Sequence, residues 1–137
     1  MDITHNTRKF LIIASLMMAI GISIGAFGAH GLKPYLDAYG LEIYNKGVDY
    51  WFYNSLGLFA IAFISYLAPS SSKITKGFYF VLAGTLIFSI SLYLLALTHI
   101  KILGAITPIG GTAMIIGWVL CIIGIAQDTK PLYIKEN

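Results

Sequence analysis

Charged residues are scarce in this chain. Only 11% of its residues are Asp, Glu, Lys or Arg, against 58% that are hydrophobic. Four long apolar stretches, at 10–28, 50–68, 78–98 and 102–126, contain no Asp, Glu, Lys, Arg or His at all. Each exceeds the ~18 apolar residues that cross a hydrocarbon core about 30 Å thick. A water-soluble fold is excluded, because too few polar residues are available to cover these stretches.

Cysteine and basic clusters are also scarce. Cys121 is the one cysteine in the sequence, which excludes a disulfide framework and a cysteine-based metal site. The nine Lys and Arg residues give a net charge of +3 but form no basic block, so no nucleic-acid binding is predicted. The apolar stretches do not alternate in polarity, as membrane β-strands would. The sequence therefore predicts an all-α membrane protein, an antiparallel bundle of four transmembrane helices.

A single four-span membrane domain is predicted for residues 1–137. The spans are placed at about 10–30, 48–68, 77–98 and 102–126, with an interfacial segment at about 33–48. Aromatic residues crowd that segment and the start of the second span, as is typical of the headgroup level. The first span also resembles a signal peptide, since Arg8 and Lys9 precede it. Its length and the three spans that follow favour a retained helix.

The Lys and Arg residues in the polar segments predict the orientation. Six of them fall on one side of the membrane: Arg8, Lys9, Lys73, Lys76, Lys130 and Lys135. Three fall on the other side: Lys33, Lys46 and Lys101. Because cytoplasmic segments carry the excess of Lys and Arg, both termini are predicted to be cytoplasmic, in a plasma (inner) membrane.

Small residues recur along the spans and predict where helices meet. They are Gly21, Gly25 and Gly28 in the first span, Gly84 and Ser91 in the third, and Gly110, Gly117 and Gly124 in the fourth. Such residues let membrane helices approach closely. Recurrence at seven residues favours a left-handed bundle with small crossing angles. The alternative is that the same small residues form a dimer interface between two copies of the chain.

Polar residues gather toward the outer half of the predicted bundle. They form a candidate binding rim that consists of His30, Asp49, Asn54, Tyr93, His99 and Thr107. Histidine and aspartate can ligate metals, and histidine can sense pH. No pair has metal-ligand spacing on one helix, however, so neither a metal nor a cofactor is predicted. Helix capping and contact with interfacial water is the alternative account of these residues.

The sequence has no recognisable catalytic motif. It contains no nucleophile motif, no phosphate loop and no HExxH, so a non-enzymatic protein is predicted. A proton-coupled exporter would need a carboxylate inside the membrane, where a charge costs about 2.5–3.5 kcal/mol, and the spans have none. The prediction is therefore binding of a membrane lipid, of another membrane protein, or of a second copy. A passive pore or exporter for a small neutral or hydrophobic solute is the alternative.

Four segments of the sequence resemble a known family. They are Gly25–Leu32, Gly47–Asn54, Leu86–Tyr93 and Leu103–Gly111, with Gly117 and Trp118 following. They are similar to the YgdD/YwdK-like small inner-membrane proteins (domain of unknown function 423), whose animal relative is transmembrane protein 256. The resemblance covers about 10–124 and implies a four-span inner-membrane fold without implying a particular activity. The chain departs from the family pattern at Asn54, where His is usual, and at Ile90, where Gly is usual.

Overall fold

The computed structural model describes residues 3–130, and Lys135 of the predicted charge asymmetry lies outside them. The described chain forms α1 (His5–Phe27), α2 (Ala38–Leu67), α3 (Ser72–Thr98) and α4 (Ile102–Asp128), with a π-helix (Gly28–Leu32) directly after α1. The four long helices are each long and apolar enough to cross a membrane. The predicted all-α bundle of four transmembrane helices is confirmed.

Side-chain caps fix where three of the helices begin. Thr4, Asp37 and Ser71 have extended backbones, and each side chain accepts a hydrogen bond from the N–H three residues further on. Each bond satisfies one of the free donors of a first helical turn. At the other end of α3, His99 has a φ of 57°, in the left-handed region, and ends the helix. α4 starts at Ile102, so α3 and α4 form a tight antiparallel hairpin.

α2 begins earlier than the predicted second span. Residues 38–48, expected within an interfacial segment at 33–48, are the first three turns of α2 and continue into the span. Asp37 starts them by accepting a hydrogen bond of 2.6 Å from the Gly40 N–H. Tyr44 and Gly47 in these turns are buried, so packing against neighbouring helices holds the segment in the bundle.

The helices pack mainly on their sequence neighbours, and α3 lies at the centre of the bundle. Half of the most apolar window of α3 is buried, against 22% for α1 and 28% for α4. The core side chains Phe10, Leu58, Ile61 and Phe78 have no exposed surface. The rings of Phe10 and Phe78 stack with centroids 3.9 Å apart, which ties the start of α1 to α3.

The predicted small residues all face another helix of the same chain. Their partners are Trp51 for Gly21, Val48 for Gly25, Tyr44 for Gly28, Gly110 for Gly84, Thr107 for Ser91, Phe88 for Gly110, Val81 for Gly117 and Ile74 for Gly124. The contact between α3 and α4 brings backbone against backbone, because a Cβ on Gly110 would lie 2.5 Å from the backbone nitrogen of Phe88. These faces are therefore used within one chain.

Candidate functional site

The six residues predicted as an outer polar rim do not meet in one pocket. His30, Asp49 and His99 are exposed. The Nδ1 atom of His30 lies 3.0 Å from the carbonyl oxygen of Ala26, one turn earlier in the same helical segment. Within residues 3–130, no group of three or more His, Cys, Asp or Glu side chains could hold a metal ion. These three rim residues lie separately on the surface.

Thr107 takes part in helix packing. Its hydroxyl lies 2.8 Å from the hydroxyl of Ser91 on α3, and it also donates to the carbonyl oxygen of Leu103 at 3.3 Å. A hydroxyl pair of this kind replaces water as the partner inside lipid. The pair therefore links the two helices of the α3–α4 hairpin.

Tyr93 lies inside an aromatic cluster that consists of Tyr44, Trp51 and Tyr93. Its ring centroid is 4.9 Å from that of Tyr44 and 6.3 Å from that of Trp51. The two α2 residues of the cluster bond to α1. The Tyr44 hydroxyl donates to the carbonyl oxygen of Ile24, and the indole N–H of Trp51 donates to the carbonyl oxygen of Met17. The Tyr93 hydroxyl is buried and has no hydrogen-bond partner among residues 3–130. The cluster joins α1, α2 and α3.

The π-helix lies next to this cluster, at the end of α1. Its wider turn is closed by the Lys33 N–H, which donates to the carbonyl oxygen of Gly28 at 3.1 Å. Gly28 itself packs on the ring of Tyr44. Single π-helical turns in proteins often occur at functional sites. Here the wider turn presents His30 at the surface, away from the cluster.

Asn54 lies in a crevice between α2, α3 and α4. The crevice has a volume of about 340 Å³, and its lining includes Tyr50, Asn54, Phe88, Gly111, Met114 and Trp118. Gly111 lies nine residues after Ile102, about 14 Å along the helix at 1.5 Å per residue. Tyr50 and Trp118 are 39% and 37% exposed. The crevice therefore opens on the side of the bundle, and its lining lies within the apolar stretches 50–68, 78–98 and 102–126.

Asn54 is the most buried polar residue that lines this crevice, at 7% exposed. Its nitrogen donates to the carbonyl oxygen of Tyr50 at 2.8 Å and to the Sδ atom of Met114 at 3.1 Å. A thioether is a weak acceptor. The amide oxygen accepts no hydrogen bond from the described part of the chain, which leaves it free to accept one from a ligand.

A second cavity lies at the turn between α3 and α4. It has a volume of about 410 Å³ and is lined by Tyr39, Leu95, His99, Lys101 and Gly104. Of the predicted rim, the structure thus places Asn54 in the crevice and His99 in this separate cavity. The sequence reasoning missed Tyr50, Phe88, Gly111, Met114 and Trp118. The positions of Asn54, Gly111 and Trp118 within the spans are the signal that could have found them.

Residues 24–111 match the family model described as "Protein of unknown function (DUF423)". The chain belongs to this family. It is 40% identical to the UPF0382 membrane protein YwdK of Bacillus subtilis (strain 168), over 85% of this chain and 94% of that protein. Identity to the UPF0382 membrane proteins of Staphylococcus saprophyticus and Staphylococcus haemolyticus is 44% and 43%, over 85% of this chain and 96% and 93% of theirs. No solved structure matches.

The family match confirms the resemblance found in the sequence, and the relatives' names confirm a membrane protein. The DUF423 match includes the π-helix, the aromatic cluster and the Asn54 and Gly111 walls of the crevice. It ends before Met114 and Trp118. The features described above therefore lie mostly in the part of the chain that defines the family.

Proposed function

We propose that this DUF423 protein is a non-enzymatic plasma-membrane protein that binds a membrane lipid from within the bilayer. The binding site is the crevice between α2, α3 and α4. The observation that carries the proposal is the crevice itself, since aromatic and apolar walls surround one amide at hydrocarbon depth. Small-molecule sites are typically apolar pockets with a few polar groups that fix orientation.

The state of the Asn54 amide supports a ligand that donates a hydrogen bond. Polar side chains are costly inside a membrane, and those that proteins keep there are often functional. A purely structural role would give Asn54 a strong acceptor on α4, whereas its partner there is the thioether of Met114. The ligand that fits is a lipid with a hydroxyl group or another donor near an apolar chain.

The packing of the core supports binding over a passive pore through one chain. Phe10, Leu58 and Phe78 fill the described interior without exposed surface. The buried hydroxyls of Ser55 and Thr85 each donate to a carbonyl of their own helix, so neither donor is left for a permeating solute.

The described residues also support a non-enzymatic role. Cys121 is buried where α3 and α4 meet, with its Sγ atom against Gly77. The two described histidines beyond α1, His30 and His99, are exposed. A nucleophile needs a base within hydrogen-bond reach, and Cys121 has none among residues 3–130. The family name, likewise, names no enzymatic activity.

Native mass spectrometry of the purified chain in mild detergent tests the proposal. A Cβ on Gly111 would meet only the Phe88 ring, at 3.9 Å, so Gly111→Leu fills the crevice without a backbone clash. Gly104→Leu is the matched control, because Gly104 has similar space, with Leu95 at 3.5 Å, and lines the other cavity. We expect a retained lipid on the wild-type chain and on Gly104→Leu, and its loss from Gly111→Leu.

Equal retention, in all three chains, of every lipid that the wild-type chain retains would contradict the crevice as the site. Circular dichroism on each variant establishes that loss of lipid is not loss of the fold. Hydroxylated and non-hydroxylated lipids of equal chain length, added separately, then test whether the ligand donates to Asn54.

A further inference from the structure

A groove with a charged end and an apolar end runs along the first turns of α1. It has a volume of about 350 Å³ and is lined by His5, Arg8, Lys9, Ile12 and Ile13. Spacings of three and four residues place these side chains on one face of the helix. The cationic side chains come first along the axis and the isoleucines follow. The groove therefore passes from the polar end of α1 into the hydrocarbon.

α3 lies beside this groove, which is itself lined by residues of α1. The Nζ atom of Lys9 lies 5.4 Å from the centroid of the Tyr79 ring, and that ring meets Phe10 of α1 edge-on at 5.7 Å. Lys76 lies three residues before Tyr79 on the same helix face and is exposed. Arg8 and Lys9 therefore line the groove on α1, and α3 adds Lys76 one helical turn from the Tyr79 ring that Lys9 contacts.

The acidic residues of the described chain lie elsewhere. Within residues 3–130, the carboxylate at this end of the bundle is that of Asp128, which pairs with Lys73 at 3.1 Å and accepts the Ser71 hydroxyl at 2.5 Å. The Lys73–Asp128 contact is the one ion pair within residues 3–130. The neighbouring lysine is thus neutralised, whereas the described chain supplies no carboxylate to Arg8, Lys9 or Lys76.

The opposite end of the bundle has a different charge balance. Its cations are Lys33, Lys46 and Lys101, and the same segments hold Asp37, Glu42 and Asp49. Three positive and three negative charges cancel there. The excess positive charge is therefore confined to the end where α1 begins, beside the groove.

We infer that this groove binds one anionic phospholipid from the leaflet at the N-terminal end of α1. The phosphate is bound by Arg8 and Lys9, with Lys76 adding positive charge, and an acyl chain lies over Ile12 and Ile13. The guanidinium of Arg presents paired N–H donors that match phosphate geometry. Clusters of Lys and Arg at this depth attract anionic headgroups. The site is separate from the crevice and does not depend on it.

Lipid titrations by native mass spectrometry test this site on the full chain in neutral detergent. The probes are phosphatidylglycerol and phosphatidylcholine with identical acyl chains, and inorganic phosphate. The test variant is Arg8→Gln with Lys9→Gln, and the matched control is Lys33→Gln with Lys46→Gln, which loses the same charge at the other end. We expect phosphatidylglycerol to bind more tightly than phosphatidylcholine, and the test variant alone to lose about tenfold in affinity.

The other outcomes overturn the inference. Equal binding of both phospholipids, or equal losses in test and control variants, would mean that no such site exists. Competition by inorganic phosphate at equal affinity would indicate an anion site without a lipid chain. A stoichiometric acidic protein bound instead of lipid would indicate a protein interface.

If the double variant Arg8→Gln with Lys9→Gln does not fold, Lys76→Gln on α3 replaces it, and the same loss of affinity is expected. Gly111→Leu keeps this binding, which separates the groove from the crevice.

Discussion

The indole N–H of Trp51 on α2 donates a 2.6 Å hydrogen bond to the carbonyl oxygen of Met17 on α1. Gly21 makes the approach possible, because a Cβ there would lie 2.7 Å from the indole ring. The arrangement repeats seven residues along both helices, where Tyr44 donates to Ile24 at 2.9 Å across Gly28. In lipid such interhelical bonds are among the forces that hold helices together. α1 is thus fixed to α2 by two equivalent glycine–aromatic contacts.

The first prediction concerns this contact. Trp51→Phe keeps a ring in place but removes the N–H donor to Met17. We expect the free energy of unfolding to fall by about 1 kcal/mol, within the range measured for interhelical hydrogen bonds in membranes. Thermal denaturation in detergent measures it. Trp118→Phe is the control, since Trp118 lies at the crevice mouth, and a larger loss there than at Trp51 would contradict the assignment.

The second prediction separates two adjacent glycines of α4. A Cβ on Gly110 would lie 2.5 Å from the backbone of α3, whereas one on Gly111 would meet only the Phe88 ring at 3.9 Å. We expect Gly110→Ala to destabilise the bundle by about 2 kcal/mol or more, because overpacking moves backbone. Gly111→Ala should be neutral, or stabilising by up to about 1 kcal/mol, because Ala favours the helix. Unfolding titrations measure the free energy of unfolding of both variants. Equal changes in the two would contradict the contact between Gly110 and α3.

The third prediction concerns Asn54 and the crevice. Asn54→Leu removes the amide but not a strong interhelical bond, because the acceptor on α4 is a thioether. We expect stability to change by less than about 1 kcal/mol, together with loss of the retained lipid. Met114→Leu is the matched control, which removes the sulfur and keeps both the volume and the lipid. A large loss of stability with unchanged lipid would assign Asn54 a structural role instead.

The fourth prediction concerns the polar contact between the start of α3 and the end of α4. Ser71 both caps α3 through the Ile74 N–H and donates to Asp128, whereas Lys73 only pairs with Asp128. Ser71→Ala should cost about 1 kcal/mol, as a lost N-cap does, and speed hydrogen exchange in the first turn of α3. Lys73→Gln should cost about 0.5 kcal/mol or less, since its side chain is 36% exposed. A larger loss of unfolding free energy in Lys73→Gln than in Ser71→Ala would contradict the prediction.

The fifth prediction is the orientation, with both termini cytoplasmic. Tyr35 is 83% exposed in the turn before α2, and Ser72 is exposed at the start of α3. In a Cys121→Ser background, a membrane-impermeant maleimide added to intact cells should label Tyr35→Cys and not Ser72→Cys. Lysed cells provide the control in which both are labelled. The reverse pattern would place the termini outside.

The helices could be predicted from the sequence because lipid leaves little choice. Inside hydrocarbon each backbone group must find its partner within its own segment, so long uncharged stretches such as 78–98 dictate helices. The small residues of those stretches also predicted the faces that meet, since only they allow backbones to approach. α2 starts at Ala38, before the second span placed at about 48–68, because the burial of Tyr44 and Gly47 holds its first turns in the bundle.

The sequence by itself determined that this protein crosses a membrane four times as helices, and to which family it belongs. Only the tertiary structure decided which polar residues share a site. Asn54 and Gly111 are far apart in the chain and meet because α2 and α4 both pack on α3, whereas His30 and His99, expected in the same rim, lie apart on the surface. Which side of a helix faces lipid, a neighbour or a crevice depends on its rotation in the bundle. That rotation is set by contacts between distant segments, such as Gly110 with Phe88, and not by local composition.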